Sequence, residues 1–160
     1  MPAFEIRPIE DSDRPWMGRF LDSRWGSRRI VTRGVVYDTS SLPGYIAEME
    51  GQPVGLITYR WEDDAGEVIS IDAVIEGVGI GSALLTAVVM ALTAAGCRRI
   101  WLITTNDNTH ALKFYQKQGF VLAALHRNAI AESRKLKPEI SEIGIDGIPI
   151  RDEIELEMIL

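Results

Sequence analysis

The stretch from Ser70 to Leu85 constrains the fold of this chain more than any other. In it, an apolar strand sequence runs through three closely spaced glycines, Gly77, Gly79 and Gly81, straight into a long apolar segment with helical spacing. Glycine lacks a Cβ atom, so such a loop can take positive φ and bring its backbone N–H groups close to an anion. Because the first N–H groups of a helix point to the same place, the stretch predicts a phosphate-binding strand–loop–helix junction.

The spacing of the glycines excludes two common phosphate-binding motifs. A dinucleotide-binding G-x-G-x-x-G motif needs glycine where this chain has Ser82 or Leu84. A P-loop needs Gly-Lys-Ser/Thr, and no lysine occurs between Gly51 and Lys113. An ordinary strand-to-helix turn with spare glycines stays open at this point, because a short glycine pattern is weak evidence by itself.

A second motif lies one predicted strand further along the chain. It has the form Asn-x-x-Ala-x-x-x-Tyr followed by Gly-Phe, and its defining positions are Asn108, Ala111, Tyr115, Gly119 and Phe120. Together with the glycine loop, it resembles the motif pair of the GNAT superfamily of acyl-CoA N-acyltransferases, in the same order. Residues 67–120 carry the resemblance, whereas the N-terminal third and the C-terminal quarter match only in the order of their elements.

The glycine loop departs from the superfamily pattern at one position. That pattern is Gln/Arg-x-x-Gly-x-Gly/Ala, and the residues here are Glu76, Gly77, Val78, Gly79, Ile80 and Gly81. Glu76 thus stands where arginine or glutamine is usual. Because such a loop contacts its cofactor mostly through main-chain N–H groups, we expect Glu76 to turn away from the cofactor, while its charge opposes anions slightly.

The resemblance implies an α/β (α+β) fold of the GNAT type, with a mixed, mostly antiparallel central sheet, a β-α-β acyl-CoA-binding core and flanking helices. It also implies a single acetyltransferase domain over residues 1–160, which agrees with a chain of 160 residues that is 46% hydrophobic. Hydrophobic patterns predict strands over 4–9, 45–49, 53–61, 67–71, 100–104, 120–126 and 153–160, a turn over 63–66, and helices over about 15–26, 80–96, 111–118 and 129–136. The segment 28–37 is open between a short strand, a lid and a second helix.

The cofactor that the resemblance implies is acetyl-CoA. The residues implied to contact it are Ile69, Ser70, Ile71, Glu76, Gly77, Val78, Gly79, Ile80, Gly81, Ser82, Asn108 and Tyr115. By the same resemblance, the backbone N–H of Ile71 would polarise the thioester carbonyl and Tyr115 would donate its phenolic proton to the departing thiolate. The alternatives are a core tyrosine whose hydroxyl bonds a neighbour, and an Asn108 that simply caps a helix.

The general base is less clear from the sequence. The two-residue period of a strand places Glu67 on the face of Ile69 and Ile71, where its carboxylate would accept the acceptor amine's proton directly or through water. A solvated strand-end glutamate is the alternative, and we favour it slightly. Asp72 lies on the opposite face unless the strand bulges there.

Three residues are candidates for binding the acceptor: Trp25, Arg33 and Asp72. In the GNAT family, the region between the first two strands commonly walls the acceptor site, which is the reason for including Trp25 and Arg33. His110 and His126 are predicted to be surface residues and Cys97 a small buried residue, and no metal site is predicted.

Composition restricts the class of partner. The net charge of −6 argues against nucleic-acid binding. The apolar run 80–95 is short of the roughly 20 residues that span a bilayer, so no membrane partner is expected. A lone cysteine and acidic residues at Glu5, Glu10 and Asp11 in place of a signal sequence favour a cytoplasmic location.

The predicted function is therefore N-acetyl transfer from acetyl-CoA to a primary amine by direct attack in a ternary complex. The acceptor would be a small-molecule amine or a protein amine, and the C-terminal elements leave a homodimer open. A non-catalytic acyl-CoA-binding or sensor module is the alternative, because of Glu76 and the uncertain base.

Overall fold

The computed structural model describes residues 3–160 of the chain. Within this range the chain forms nine β-strands and four α-helices. The strands are β1 (Phe4–Pro8), β2 (Arg29–Thr32), β3 (Val35–Asp38), β4 (Gly44–Met49), β5 (Gln52–Glu62), β6 (Ala65–Ala73), β7 (Arg99–Thr105), β8 (Val121–His126) and β9 (Glu153–Ile159). The helices are α1 (Arg14–Trp25), α2 (Ile80–Ala94), α3 (Thr109–Lys117) and α4 (Ala129–Leu136).

Seven strands form one sheet in the order β1-β4-β5-β6-β7-β9-β8, and β2 and β3 form a separate two-stranded sheet. The pairs β1–β4, β4–β5, β5–β6 and β8–β9 are antiparallel. The predicted α/β (α+β) fold with a mostly antiparallel sheet is thereby confirmed. The described helices include none with both the length and the apolar character needed to cross a bilayer.

The described chain divides into two compact units. The first takes in the chain up to Ile30, Asp38–Ile100 and Leu160. The second takes in Val31–Tyr37 and Trp101–Ile159. The assignment of residues 1–160 to one domain stays a prediction.

Helix α1 provides the hydrophobic core on one face of the first unit. Its spacing of apolar residues gives it one buried side, as the sequence predicts. The buried cluster comprises Met17, Phe20 and Leu21 of the helix with Ile46 of β4 and Leu56 of β5. The side chain of Arg14 anchors the start of the same helix by donating to the backbone carbonyls of Ser40 and Leu42.

Helix α2 packs on the other face of the same strands. A Cβ atom on Gly55 would lie 2.7 Å from Ile80 Cγ2 and 3.2 Å from Leu84 Cδ1, so the helix rests on β5 where a side chain is missing. Because Gly55 and its neighbour Leu56 face opposite sides of the strand, α1 and α2 lie on opposite faces of this part of the sheet. Beyond the end of α2, the N–H of the buried Cys97 donates to the Leu92 carbonyl over 2.9 Å.

In the second unit, a buried carboxylate fixes the loops around β9. Asp152, which is 4% exposed, accepts from the Asn128 N–H over 2.8 Å and from the Arg151 side chain over 3.0 Å. Arg134 of α4 donates to the carbonyls of Ser141 and Ile150, over 2.8 and 2.9 Å, and so holds the connection to β9. These bonds order a turn-rich segment in which Ile143 and Ile145 are exposed.

Two segments differ from, or complete, the sequence predictions. The predicted turn over 63–66 is shorter, because β6 already starts at Ala65. A Cβ on Gly66 would lie 2.4 Å from Leu92 Cδ1, so this glycine is a strand residue packed under α2. The open segment 28–37 forms β2 and β3, joined at Arg33 and Gly34 with φ of 48° and 76°, the left-handed values of a tight hairpin.

Candidate functional site

Strand β6 contains an irregularity within the predicted cofactor-binding stretch. Its register against β5 pairs Ser70 with Thr58 but Val68 with Tyr59, so Ile69 has no partner directly opposite. This is a β-bulge, in which one strand carries an extra residue. The two-residue alternation of side chains along β6 is therefore interrupted at Ile69.

The bulge corrects the predicted facing of Glu67. Alternation alone predicts Glu67 on the face of Ile69 and Ile71. In the register, Glu67 lies opposite Arg60, and Ser70 lies opposite Thr58. Arg60 and Thr58 are two residues apart on β5. Since residues two apart on β5 share a face, Glu67 and Ser70 share one too. The prediction is wrong because the facing of β6 depends on its pairing with β5.

The Glu67 carboxylate is buried and paired. Its side chain is 2% exposed, and Arg60 Nη1 donates to its Oε1 over 3.1 Å. Nη2 of the same guanidinium donates to the exposed Glu62 over 3.0 Å. The alternative of a solvated strand-end glutamate is therefore wrong. The arginine counterion compensates the cost of burying a charge on this face of the sheet.

The remaining strand residues of the predicted cofactor site lie next to Glu67. The hydroxyls of Ser70 and Thr58 share a hydrogen bond of 2.6 Å, and both residues are buried. Ile69 at the bulge is also buried, whereas Ile71 is half-buried near the end of β6. The side chains of Ile69 and Ser70 are thus used in packing.

The glycine loop has the geometry of an anion cradle. Gly77 and Gly79 have φ of 78° and 88°, and no atom lies within 4 Å of a Cβ built on either. The first bond of α2 runs from the Ala83 N–H to the Gly79 carbonyl, so the N–H groups of Ile80 and Gly81 precede the helical ladder. An open backbone at a helix start suits a phosphate, so the residues present fit the nucleotide part of coenzyme A.

The other loop residues surround this cradle. Gly81 and Ser82 lie in the first turn of α2 and are half-buried, as is Val78. The Ser82 carbonyl accepts from the Thr86 hydroxyl over 2.9 Å. Glu76 is exposed, which agrees with a side chain turned away from the loop backbone.

Asp72 is engaged by an arginine of α1. Arg24 donates from Nε and Nη2 to the two carboxylate oxygens over 2.9 and 2.7 Å, and from Nη2 to the Ala73 carbonyl over 3.2 Å. The register places Asp72 on the face that α1 covers, since its β5 partner Leu56 belongs to the α1 core, and the pairing is regular from Ser70 to Ala73. The pKa of the Arg24 guanidinium is raised, chiefly by the Asp72 bonds and least by the charge of Glu76.

Tyr115 lies in the second unit, on α3. The residue is 7% exposed, and its ring contacts those of Phe114 and Phe120 edge-on at centroid distances of 5.3 and 5.8 Å. Burial raises the pKa of its phenol. No hydrogen-bond partner of this hydroxyl is found within residues 3–160, unlike the core tyrosine of the alternative interpretation.

Asn108 caps the helix that carries Tyr115. Its Oδ1 accepts from the Ala111 N–H over 3.1 Å, so the capping role considered from the sequence is confirmed. The preceding Asp107 is 4% exposed and accepts from the Ile145 N–H over 3.1 Å and from the Thr105 hydroxyl. These bonds fix the start of α3, and with it the position of Tyr115 within the second unit.

The remaining acceptor candidates lie apart in the sequence and in their contacts. Trp25, the last residue of α1, is 44% exposed. Arg33, at the tip of the β2–β3 hairpin, donates to the buried Glu153 over 3.2 Å. Arg33 is thus committed to an ion pair in the second unit.

The two histidines are not assembled with metal-binding partners. His110 is exposed, and His126 is bonded to Glu155 over 3.0 Å with a side chain that is 23% exposed. Residues 3–160 contain no group of three or more potential metal ligands.

Sequence reasoning missed two arginines, Arg24 and Arg60. Each pairs with a carboxylate of β6, at Asp72 and Glu67 respectively. Arg60 was detectable as the residue facing Glu67 across the predicted β5–β6 hairpin. Arg24 had no such signal, because it lies 48 positions from Asp72 in the chain.

Comparisons with known proteins find both motifs within one family model. The model of the Acetyltransferase (GNAT) family matches residues 7–120, which contain both motifs. The chain is 48% identical over 152 residues to the uncharacterized protein YxbD of Bacillus subtilis (strain 168), covering 94% of this chain and 96% of that one. It is 42% identical over 150 residues to the uncharacterized protein YdhI of the same strain, covering 93% and 94%.

The fold is shared with a solved structure. A GNAT family acetyltransferase from Elizabethkingia anophelis, solved with acetyl-CoA bound, superposes with a TM-score of 0.71 over 98% of each chain at 21% sequence identity.

Proposed function

The chain belongs to the GNAT family of acetyltransferases, and from this premise we propose that it transfers the acetyl group of acetyl-CoA to a primary amine by direct attack in a ternary complex. The observation that carries the proposal is the cradle at Gly77 and Gly79, which stands open at the start of α2. The Elizabethkingia anophelis structure, which has acetyl-CoA bound, supports the choice of cofactor.

Acetyl-CoA would supply an activated acetyl group as a thioester. The backbone N–H groups from Gly77 to Ser82 would hold its diphosphate, and the strand from Ile69 to Ile71 would hold its pantetheine arm. The bulge at Ile69 supports this role, because it frees backbone groups that a regular ladder would use. The Ile71 N–H would then polarise the carbonyl to be attacked.

Glu67 is the proposed proton acceptor. Its carboxylate would take the proton that the acceptor nitrogen loses as that nitrogen bonds to the acetyl carbon, directly or through water. Two observations support the role: the carboxylate is buried, and the bond from Arg60 orients it.

Tyr115 is the proposed proton donor. Its hydroxyl would protonate the sulfur as the carbon–sulfur bond breaks, which prevents the thiolate from attacking in reverse. A phenol whose pKa is raised by burial stays protonated at neutral pH, as a donor must. Asn108 would contact the cofactor beside the thioester.

The acceptor is proposed to be an amine on a small molecule or a protein, in contact with Trp25. The exposed indole at the end of α1 suits an acceptor with an apolar part. Arg33 and Asp72 remain acceptor candidates only if their ion pairs with Glu153 and Arg24 open on binding.

The test combines calorimetry with turnover. Coenzyme A should bind, and incubation with acetyl-CoA and a panel of amines should release free thiol above the rate without amine. Binding of coenzyme A with no thiol release for any amine would instead identify a non-catalytic acyl-CoA-binding module. Absence of binding would contradict both.

A further inference from the structure

The glycine loop is flanked by two acidic residues. Asp72 lies just before the loop and Glu76 within it, at the position where the family usually has arginine or glutamine. A ligand that carries a diphosphate would meet both negative charges close to the Gly77 and Gly79 cradle. Repulsion of this kind weakens anion binding unless a cation offsets it.

Arg24 brings a positive charge to this position from another element. Its guanidinium forms two bonds with the Asp72 carboxylate and one with the Ala73 carbonyl, the last residue of β6 before the loop. The charge of Glu76 also acts on this guanidinium. One cation therefore pairs with Asp72 and interacts through its charge with Glu76, while 40% of its side chain stays exposed to solvent.

The position of Arg24 is set by its own helix. The guanidinium carbon lies 5.9 Å from the centre of the Phe20 ring, one turn earlier on α1, in a cation–π contact. Phe20 in turn stacks on Trp16 at a centroid distance of 4.8 Å, and both belong to the packed side of the helix. Arg24 therefore extends from a packed part of α1. This packing lowers the entropy cost of holding the bonds between Arg24 and β6.

We propose that Arg24 is the cation of the cofactor loop: it neutralises Asp72, offsets Glu76 and fixes the end of β6, and so replaces from α1 the positive or neutral residue that the loop motif lacks at position 76. The inference rests on the proposed function, since it assumes that the loop binds coenzyme A. Arg24 is a positioning residue, which acts through Asp72 and through the charge of the loop. Asp72 accordingly serves the loop as long as its pair with Arg24 is closed.

The experiment measures coenzyme A affinity by calorimetry for the full-length chain and its variants. Arg24→Gln should weaken coenzyme A binding about tenfold at low salt and about threefold or less in 0.5 M salt. The effect shrinks because the charge of Arg24 is partly exposed, so salt screens its interaction with the loop. Arg24→Lys keeps the charge but not the two parallel bonds to Asp72, so its affinity should fall between those of the parent and of Arg24→Gln. In turnover, Arg24→Gln should raise the KM for acetyl-CoA and leave kcat nearly unchanged.

Two variants separate this effect from loss of structure. Arg24→Gln combined with Glu76→Gln restores the net charge of the loop and should recover most of the lost affinity, which a misfolded β6 end would not do. Arg28→Gln is the matched control, because Arg28 forms a similar pair with Asp22 over 2.7 Å but belongs to the segment after α1. It changes the net charge of the protein equally and should leave coenzyme A binding unaltered.

Each outcome decides between the two proposals. Equal affinity of the parent and Arg24→Gln, or equal weakening by Arg24→Gln and Arg28→Gln, would overturn the role of Arg24 and leave the proposed function intact. A parent protein that does not bind coenzyme A would overturn both. Recovery by Glu76→Gln together with an unaffected Arg28→Gln would establish Arg24 as the loop cation.

Discussion

At the scale of single residues, the chemistry proposed for this chain depends on two buried titratable groups. Tyr115 has a hydrophobic surround of Phe114 and Phe120, whereas Glu67 has a charged partner in Arg60. The apolar surroundings of Tyr115 favour its protonated form. Arg60, in contrast, stabilises a negative charge on Glu67. The proposed acid and the proposed base thus differ in their surroundings.

Replacing Tyr115 by phenylalanine should lower kcat about 100-fold or more and change coenzyme A affinity little, because only the proton donor is removed. Burial raises the pKa of the phenol, so its neutral form contributes stability below its ordinary pKa near 10, and that contribution is lost as the pH rises toward the raised value. The parent should therefore show no loss of kcat from this group between pH 7 and about 9.

The matched control for Tyr115 is Tyr59, another buried tyrosine, which stacks between Tyr45 and Trp61. Tyr59→Phe should leave kcat within about twofold of the parent, since no catalytic role is proposed for it. Equal turnover by parent and Tyr115→Phe would remove Tyr115 from the role of acid.

Replacing Glu67 by glutamine should lower kcat about 100-fold, because the amide cannot accept a proton from the acceptor amine. Arg60 also bonds Glu62, so Glu62→Gln removes a negative charge paired with the same guanidinium and serves as the control. Steady-state rates should fall in Glu67→Gln alone. A similar fall in both variants would assign the effect to Arg60.

At the scale of elements, α2 has a glycine with left-handed φ at each end. Gly79 precedes the helix with φ of 88°, and Gly96 follows it with φ of 87°. Neither has an atom within 4 Å of a Cβ built on its backbone. Alanine at either position would therefore meet no clash and would differ from glycine only in backbone strain.

Gly79→Ala and Gly96→Ala should each cost about 1–2 kcal/mol of unfolding free energy, because alanine is strained at such φ. Only Gly79→Ala should also weaken coenzyme A binding, by about tenfold, since its methyl group stands on the open side of the cradle. Thermal unfolding and calorimetry on both variants check this. Unchanged coenzyme A affinity in Gly79→Ala would contradict the placing of the diphosphate at this loop.

The elements were largely predictable because their signals are local. Capping residues and apolar spacing predict α2 and α3 from a few neighbours each, and the Glu50–Gly51 turn predicts the hairpin of β4 and β5. The β2–β3 hairpin was left open by the sequence, because its two strands have only four residues each, too few to show a clear period. The bulge at Ile69 was missed since it exists only in the register with β5.

At the scale of the whole molecule, each unit contains a carboxylate whose ionised form stabilises it. In the first, Arg7 donates to both oxygens of Asp13 over 2.7 and 2.8 Å, and this bonding lowers the pKa of Asp13. In the second, the bonds from Arg151 and from the Asn128 N–H lower the pKa of Asp152. Because both pKa values are depressed, both contributions are full above the ordinary pKa and are lost as the pH falls through the folded-state values.

The melting temperature should therefore fall steeply below about pH 4. Asp13→Asn and Asp152→Asn should each melt about 4 °C below the parent at pH 7, and the difference should shrink toward pH 3. Glu132→Gln removes an exposed carboxylate that pairs with Lys135 on the surface of α4 and should match the parent throughout. A constant difference across this range would contradict the assignment.

The molecular plan follows from the sequence to the extent that neighbours in the chain determine it. The two motifs predict the family, the sheet and the cradle. Two ion pairs join distant residues, Arg24 with Asp72 and Arg33 with Glu153, which are 48 and 120 positions apart. Such pairs form only when the tertiary fold brings their elements together, so no local sequence pattern predicts them.

The single cysteine has a practical consequence. Cys97 is 5% exposed, and burial raises the pKa of its thiol, so the reactive thiolate is scarce. A chromogenic disulfide reagent added to a running reaction should therefore detect the thiol of the released coenzyme A, with little background signal from the protein. The same reagent would label Cys97 only in molecules in which the C-terminal end of α2 has opened. The rate of labelling would therefore measure local unfolding at this end of the helix.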